Sequence, residues 1–167
     1  MRLSGRSVIA LSLIGSAFVT GAAMAAKEKF TRNKPHVNVS GPYQLANETL
    51  AVGLGLLSEA LGVEPAGDCS GVFAVRVLDA RDPTAAPFVE VHGVRLGADE
   101  TFTVPFDSET RRGAAPFLPV YVVVMADDLE SVRTPQCLLR GQIEIRGNTG
   151  EPPRSQPIRP EDFIRVP

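Results

Sequence analysis

The sequence predicts a mainly β protein: an antiparallel β-sandwich, immunoglobulin-like in outline, with one short helix and one disulfide. Three observations favour this fold. Apolar and polar residues alternate along five or six short segments, turn residues separate those segments, and two cysteines lie 68 positions apart in an otherwise cysteine-free chain. The chain has no Trp, so the Cys–Trp–Cys core of true immunoglobulin domains is missing.

Alternation with a period of two predicts each strand in order. Val37 and Val39 indicate a short first strand that ends at Ser40-Gly41-Pro42. Gly93 predicts a bulge, and Pro119, which has no N–H to donate, belongs at the beginning or edge of its strand. The later strands are predicted at Val72–Asp79, Phe88–Leu96, Thr101–Phe106, Phe117–Ala126 and Cys137–Arg146.

The short helix is predicted between the first strand, at Val37 and Val39, and the strand at Val72–Asp79. Leu50, Leu54, Leu57 and Leu61 recur at helical spacing, with Asn47 as a cap and Gly62 at the end, although Gly53 and Gly55 each weaken a helix by about 1 kcal/mol. A pair of strands over the same residues is the alternative.

The ends of the chain differ in composition from its middle. Arg2 and Arg6, an apolar run from Val8 to Ala23, and small residues up to Ala26 are typical of a signal peptide at 1–26 that is cleaved near Ala25 or Ala26. An uncleaved membrane anchor is the alternative, and the only route to a membrane that we expect. An extended leader at 27–42, a β-rich domain at 43–147 and a proline-rich tail at 148–167 would follow.

The two cysteines are predicted to form a structural disulfide. Export would place Cys69 and Cys137 in an oxidising compartment, periplasmic or secreted, and their separation excludes a redox Cys-x-x-Cys motif. Cys137 shares the apolar face of its strand, so the bond would join the sandwich from inside. Closing a loop of this length stabilises a fold by about 4 kcal/mol.

Residues Lys27–Val39 resemble the N-terminus of bacterial translation elongation factor Tu over 13 positions. In that family a Gly-x-x-x-x-Gly-Lys-Thr loop follows and binds phosphate. Here the chain continues with Ser40-Gly41-Pro42-Tyr43-Gln44, which supplies neither the glycines nor the Lys and Thr. The resemblance therefore implies no nucleotide chemistry.

Composition and residue types argue against several other activities. Without Arg2 and Arg6 the chain has 15 basic and 19 acidic residues, which indicates no nucleic-acid partner. His36 and His92 are the only histidines, and they predict neither a metal site nor a cofactor. Glu90 and His92 share a strand face, where a solvated pair is the simpler interpretation. We find no catalytic constellation and expect no enzyme.

The function favoured by these observations is a non-catalytic exported module for protein–protein interaction or envelope and surface assembly, including self-association. Extended segments at both ends could add a strand to a neighbour's sheet. The candidate partner-binding residues are Phe163, Ile164 and Val166, with Phe30 at the other end. The alternative is an extracytoplasmic binding domain for a small ligand or glycan, using the loop at 107–115 with its Arg111-Arg112 pair.

Overall fold

The computed structural model of this chain describes residues 35–58, 69–127, 129, 133–134, 137–147 and 151–166. Within them two antiparallel sheets form a sandwich, which confirms the predicted mainly β fold. The strands are β1 (His36–Leu45), β2 (Glu48–Leu57), β3 (Gly71–Asp79), β4 (Val89–Leu96), β5 (Thr101–Asp107), β6 (Leu118–Ala126), β7 (Arg133–Thr134), β8 (Cys137–Gly147), β9 (Arg154–Ile158) and β10 (Ile164–Arg165). The predicted signal peptide and Phe30 lie outside the described residues.

Sheet A has the strand order β10-β1-β6-β3-β4, and sheet B has the order β5-β2-β8-β7 with β9 also paired to β8. Every pairing among the described strands is antiparallel. Apolar side chains from the facing sides of both sheets form one core, because a sheet that alternates in polarity can remove only one face from water. The core includes Val75, Val77, Val120, Val122 and Val124 of sheet A with Leu50, Val52, Leu54, Leu139 and Ile143 of sheet B.

The predicted disulfide is present. Cys69 precedes β3 of sheet A and Cys137 begins β8 of sheet B, and their Cα atoms lie 5.3 Å apart. Both cysteines are buried in the core. The bond therefore joins the two sheets from inside, as the position of Cys137 on the apolar face of its strand predicted.

The helix predicted from Asn47 to Gly62 is wrong where the structure describes it, because β2 occupies Glu48–Leu57. Leu50 and Leu54 satisfy a period of four and also a period of two, and β2 buries Leu50, Val52, Leu54 and Leu56 on one side. Pairing with β5 on one edge and β8 on the other overrides the weak helical tendency of a segment with two glycines. Among the described residues the α-helical turn, α1, is instead Glu109–Arg112.

Two local predictions for the strands are confirmed. Gly93 has φ 64° and lies where β4 contains one residue more than β3, so the strand is bulged there. Pro119 is the second residue of β6, at its beginning. The Ser40-Gly41-Pro42 turn is absent, because β1 continues to Leu45 through a bulge with a cis Gly41–Pro42 peptide.

The tail packs on its own domain. β9 pairs with β8 in sheet B, a 3₁₀ turn follows at Pro160–Asp162, and β10 then pairs with β1 in sheet A. Residues 36–42 likewise belong to the sheet through β1 rather than to a separate leader. The C-terminal segment thus crosses from one sheet to the other and closes one side of the sandwich.

Candidate functional site

Phe163 is not available to a partner. Its side chain is only 6% exposed and belongs to the core, together with Ile158 of β9. Deleting residues 157–167 would therefore remove two core side chains as well as the surface residues. Ile164 and Val166, the other candidates from the sequence, are 73% and 41% exposed. The structure thus separates the three predicted partner-binding residues into one that stabilises the fold and two that face solvent.

Hydrogen bonds with residues 35–43 hold the tail in this position. Asn38 of β1 faces the interior, and its Nδ2 donates to the carbonyl oxygen of Asp162 at 3.3 Å. Further along β1, at the surface, the Tyr43 hydroxyl donates to Oε1 of Gln156 at 2.6 Å, which links the edges of the two sheets. The N–H of Val166 donates to the carbonyl oxygen of Pro35. These bonds fix β10 beside β1 and so determine which of its side chains face outward.

The outer side of sheet A is apolar where β10, β1 and β6 lie together. Ile164 of β10 stands opposite Val37 of β1, and Val37 stands opposite Met125 of β6. Two residues further along β1, Val39 stands opposite Val123 and is 61% exposed. We call the set of outward-facing side chains on these strands the apolar face; it comprises Val37, Val39, Tyr121, Val123, Met125 and Ile164.

Strand β6 could not be assigned two different faces from its sequence. Both sides of the run Leu118–Ala126 are apolar, which is typical of a strand buried on both sides. In the structure only one side is buried: Val120, Val122 and Val124 lie in the core, whereas Tyr121, Val123 and Met125 stay partly exposed. The apolar residues on the exposed side of β6 are therefore the feature of the sequence that indicates this surface.

A charged cluster borders the apolar face on β3 and β4. Oε1 of Glu90 lies 2.6 Å from Nε of Arg76 and 2.8 Å from Nε2 of His92. Burial raises the pKa of Glu90, but the hydrogen bond from His92 and the charge of Arg76 outweigh it, so the pKa lies below its ordinary value. All three side chains are well exposed. The predicted Glu90–His92 pair is therefore present, on an open surface.

The Arg111-Arg112 pair does not form a binding clamp. Nη1 of Arg112 donates to the carbonyl oxygens of Ala115 and Pro116, and Nη2 donates to Oδ1 of Asn47. These bonds tie the loop after α1 to the turn between β1 and β2. Arg111 is exposed at the surface. Arg112 thus supports the loop, and of the two side chains only that of Arg111 is exposed.

The long free edges of both sheets are poorly suited to receive another strand. Proline interrupts β5 at Pro105 and β9 at Pro157, and both strands lie at the edge of sheet B. In sheet A, β1 carries the bulge at Gly41–Pro42, and β4 carries the bulge at Gly93. Prolines and bulges at an edge prevent regular pairing with a further strand.

The outer side of sheet B carries a groove of about 710 Å³. Its floor lies along β2, where Gly53 has no side chain to fill it, whereas the side chain of Thr101 covers Gly55. Thr101 and Thr103 of β5 border one side, and β8 borders the other with Arg140, Gln142 and Glu144. A Cβ built on Gly53 would meet nothing closer than a carbonyl oxygen at 3.8 Å, so the floor is open above this residue.

No protein-family model matches this chain, and no curated protein or solved structure does either. Within the part of the chain that the structure describes, no three His, Cys, Asp or Glu side chains come together as metal ligands would. No helix in the same part has the length and apolar character needed to cross a bilayer. The apolar face and the groove on sheet B are therefore the two surfaces that indicate a function.

Proposed function

We propose that this protein is a non-catalytic, exported interaction module that binds a protein partner through the apolar face. The observation that carries the proposal is the exposure of Val39 and Ile164, at 61% and 73%, beside further apolar side chains of β1 and β6. Single exposed apolar residues are ordinary on protein surfaces, whereas a contiguous patch on one sheet face is typical of an interaction site.

The energetics of the patch support a docking role. Covering an exposed Val or Ile side chain contributes about 1 to 2 kcal/mol when part of it is already buried. Val39 and Ile164 are β-branched and lie on paired strands, so little side-chain entropy is lost when they are covered. The Arg76–Glu90–His92 cluster, which begins next to Val123 on the far side of β6, is exposed and paired, which suits the polar rim of an interface.

Two observations support action outside the cytoplasm. The Cys69–Cys137 disulfide fits an oxidising compartment, because cytosolic thiols are kept reduced. The residues at 1–26 have the composition of a signal peptide. Periplasmic or secreted localisation is therefore part of the proposal.

The experiment that tests the proposal is the native mass of the protein in gently prepared extracts of its own producing cells. We would compare wild type with Val39→Glu and Ile164→Glu by size exclusion with light scattering, since a buried glutamate in an interface is strongly unfavourable. The matched control is Thr103→Glu, which adds the same charge to an exposed position on the outer side of sheet B. We expect a complex with wild type and with Thr103→Glu, and free protein with the other two variants.

The proposal fails if wild type elutes as a free monomer, or if all three variants remain in the complex. Correct folding of each variant is checked by circular dichroism and by the unfolding temperature. Because Val39 and Ile164 point into solvent, their replacement should change the unfolding free energy by no more than about 0.5 kcal/mol.

The groove on sheet B favours a second candidate function, the binding of a small ligand or glycan. Polar side chains from β5 and β8 stand on both sides of an open glycine floor, an arrangement that leaves space for a flat or extended ligand. The test is a panel of oligosaccharides and small carboxylates in a thermal-shift assay with wild type and Gly53→Val. A ligand that stabilises wild type but not Gly53→Val would support this function. If no compound of the panel stabilises either protein, this function is ruled out for these ligand classes.

A further inference from the structure

We infer that the groove on sheet B binds a monocarboxylate with an aliphatic chain, whose carboxylate pairs with Arg140 and whose chain lies over Gly53 along β2. This inference rests on the second candidate function, because it names the ligand class for the same groove, and it is independent of the apolar face on sheet A. Three properties of the groove carry it: its width, the polarity of its floor and an arginine that no described residue neutralises.

The groove is as wide as one aliphatic chain. Thr103 of β5, Gly53 of β2 and Gln142 of β8 stand side by side in one row of sheet B. Because neighbouring strands lie about 4.8 Å apart, the backbones that carry Thr103 and Gln142 are about 9.6 Å apart. A hydrocarbon chain that contacts both walls at about 4 Å needs about 8 Å between the wall atoms. The space above Gly53 therefore holds one chain.

The floor and one end of the groove are aliphatic. Ala51 and Gly53 form the floor, and Pro157 of β9 borders it. At one end the half-buried Leu57 and Leu138 stand opposite each other. None of the described outward-facing residues of β2, β5, β8 and β9 is aromatic. A sugar ring would therefore find no aromatic face to stack on, whereas a hydrocarbon chain can follow a floor of small residues.

Arg140 supplies an unpaired positive charge in the groove. Its side chain is exposed, and its guanidinium group makes no ion pair or hydrogen bond with a described residue. The other charged residues that line the groove are already paired: Glu144 with Arg146 at 2.6 Å, and Arg159 with Glu161 at 3.9 Å. Arg140 is therefore the place in the groove where an anion gains most.

The charges of the groove favour one carboxylate over a phosphate or a polyanion. A guanidinium group binds a carboxylate through two parallel hydrogen bonds. A second negative charge would meet the carboxylates of Glu144 and Glu161, on a chain in which 19 acidic residues already exceed 17 basic ones. The ligand therefore has a single anionic end and an uncharged remainder.

The carboxylate position leads directly to the open floor. Arg140 stands opposite Gly55, in the row next to that of Gly53, and the floor continues to Ala51. Four residues of an extended strand span about 14 Å, so the floor accommodates a chain that lies parallel to β2. A straight-chain carboxylate is thus the simplest molecule that satisfies both the charge and the shape.

The test is a ¹H–¹⁵N NMR titration of the purified, disulfide-bonded protein with sodium octanoate. We expect saturable shifts at the amides of Gly53, Thr103 and Gln142, with a dissociation constant on the order of 1 mM. Each methylene removed, down to butanoate, should weaken binding about twofold, because an open groove buries about half of each group. Octanamide has the same chain without the charge and should bind about tenfold more weakly.

Two variants locate the ligand within the groove. Arg140→Gln should weaken octanoate binding at least about tenfold, because it removes a charge-assisted hydrogen-bonding group. The matched control is Arg111→Gln, which removes an exposed arginine of α1 outside the groove and should bind as wild type does. Gly53→Val fills the floor and should abolish binding. If Gly53→Val does not fold, Arg140→Gln alone decides, because the Arg140 side chain is exposed.

Three results would overturn the inference. The first is the absence of saturable shifts up to about 20 mM octanoate, about twenty times the expected dissociation constant. The second is equal binding by Arg140→Gln and Arg111→Gln. The third is a set of shifts confined to the apolar face. The groove itself remains a ligand site in each case if an oligosaccharide stabilises wild type but not Gly53→Val, because only the ligand class would then be wrong.

Discussion

Replacing Gly141 by alanine should destabilise the protein by displacing its C-terminal tail. Gly141 lies on the inward side of β8, opposite Ile158 of β9. A Cβ at this position would lie 2.9 Å from Cβ of Ile158 and 3.0 Å from Cδ2 of Leu54. The Leu54 methyl group can move, but Cβ of Ile158 is fixed to the backbone of β9, so the strand itself must shift.

The magnitude follows from two limits. Overpacking a core costs about 1 to 3 kcal/mol. If the tail instead detached, the protein would lose at least the burial of Ile158, which stabilises it by about 1.5 to 3 kcal/mol. Detaching the tail would therefore cost about as much free energy as keeping it in place under strain. We therefore expect a loss of about 1 to 3 kcal/mol, or a fall of about 4 to 12 °C in Tm for a domain of this size.

The assay is urea unfolding combined with hydrogen exchange of the tail amides, with Gly53→Ala as the matched control. Gly53 lies on the neighbouring strand, and its Cβ would meet only a carbonyl oxygen at 3.8 Å, so this variant should be neutral or slightly stabilising. Exchange of the amides of residues 154–156 and 158 should accelerate in Gly141→Ala alone. If Gly141→Ala matched Gly53→Ala in both measurements, Ile158 would not pack against Gly141, and the tail would not be part of the fold.

Three further outcomes are expected. Cys69→Ser/Cys137→Ser should lower the unfolding free energy by about 4 kcal/mol, measured by urea denaturation, because the disulfide closes a 68-residue loop; an unchanged midpoint would contradict this. Pro105→Thr should leave Tm nearly unchanged but increase light scattering over time, because it restores a free N–H on the edge strand β5. Equal scattering from both proteins would show that Pro105 does not protect this edge from pairing. The backbone N–H and then the hydroxyl of Ser58 donate to Asp99 and lower its pKa, so the carboxylate stabilises the fold above its ordinary value of 3.8, and that stabilisation is lost as pH falls through the lowered pKa. Asp99→Asn should reduce the fall in unfolding free energy that urea denaturation measures between about pH 5 and pH 2. If the fall is unchanged in this variant, other carboxylates cause it.

The sequence predicts the strands of this protein well where polarity alternates, because burial of one sheet face imposes a period of two. The segments predicted as Val72–Asp79 and Cys137–Arg146 agree with β3 and β8 almost to the residue. The segment 48–57 could not be assigned in this way. Its leucines fit two periods at once, and the choice depends on pairing with β5 and β8, strands far away in the sequence.

The candidate site was harder to predict than the fold. A run such as Leu118–Ala126 is apolar on both sides, and only the three-dimensional arrangement reveals that nothing in the described part of the chain covers its outer side. The tail presented the opposite difficulty. Phe163 and Ile164 are neighbours of similar hydropathy, yet one fills the core and the other faces solvent, because β10 pairs with β1 in a single register.

Site-specific photo-cross-linking from the apolar face, in cells that produce the protein, tests most directly whether this face binds a partner. A benzophenone side chain would replace Val39 in one strain and Thr103 in another, so that the two probes report on opposite outer faces of the sandwich. We expect one discrete adduct from position 39, lost when Ile164→Glu is added, and none from position 103. Adducts from position 103 alone, or an adduct at position 39 that survives Ile164→Glu, would contradict the assignment of the apolar face as the binding surface.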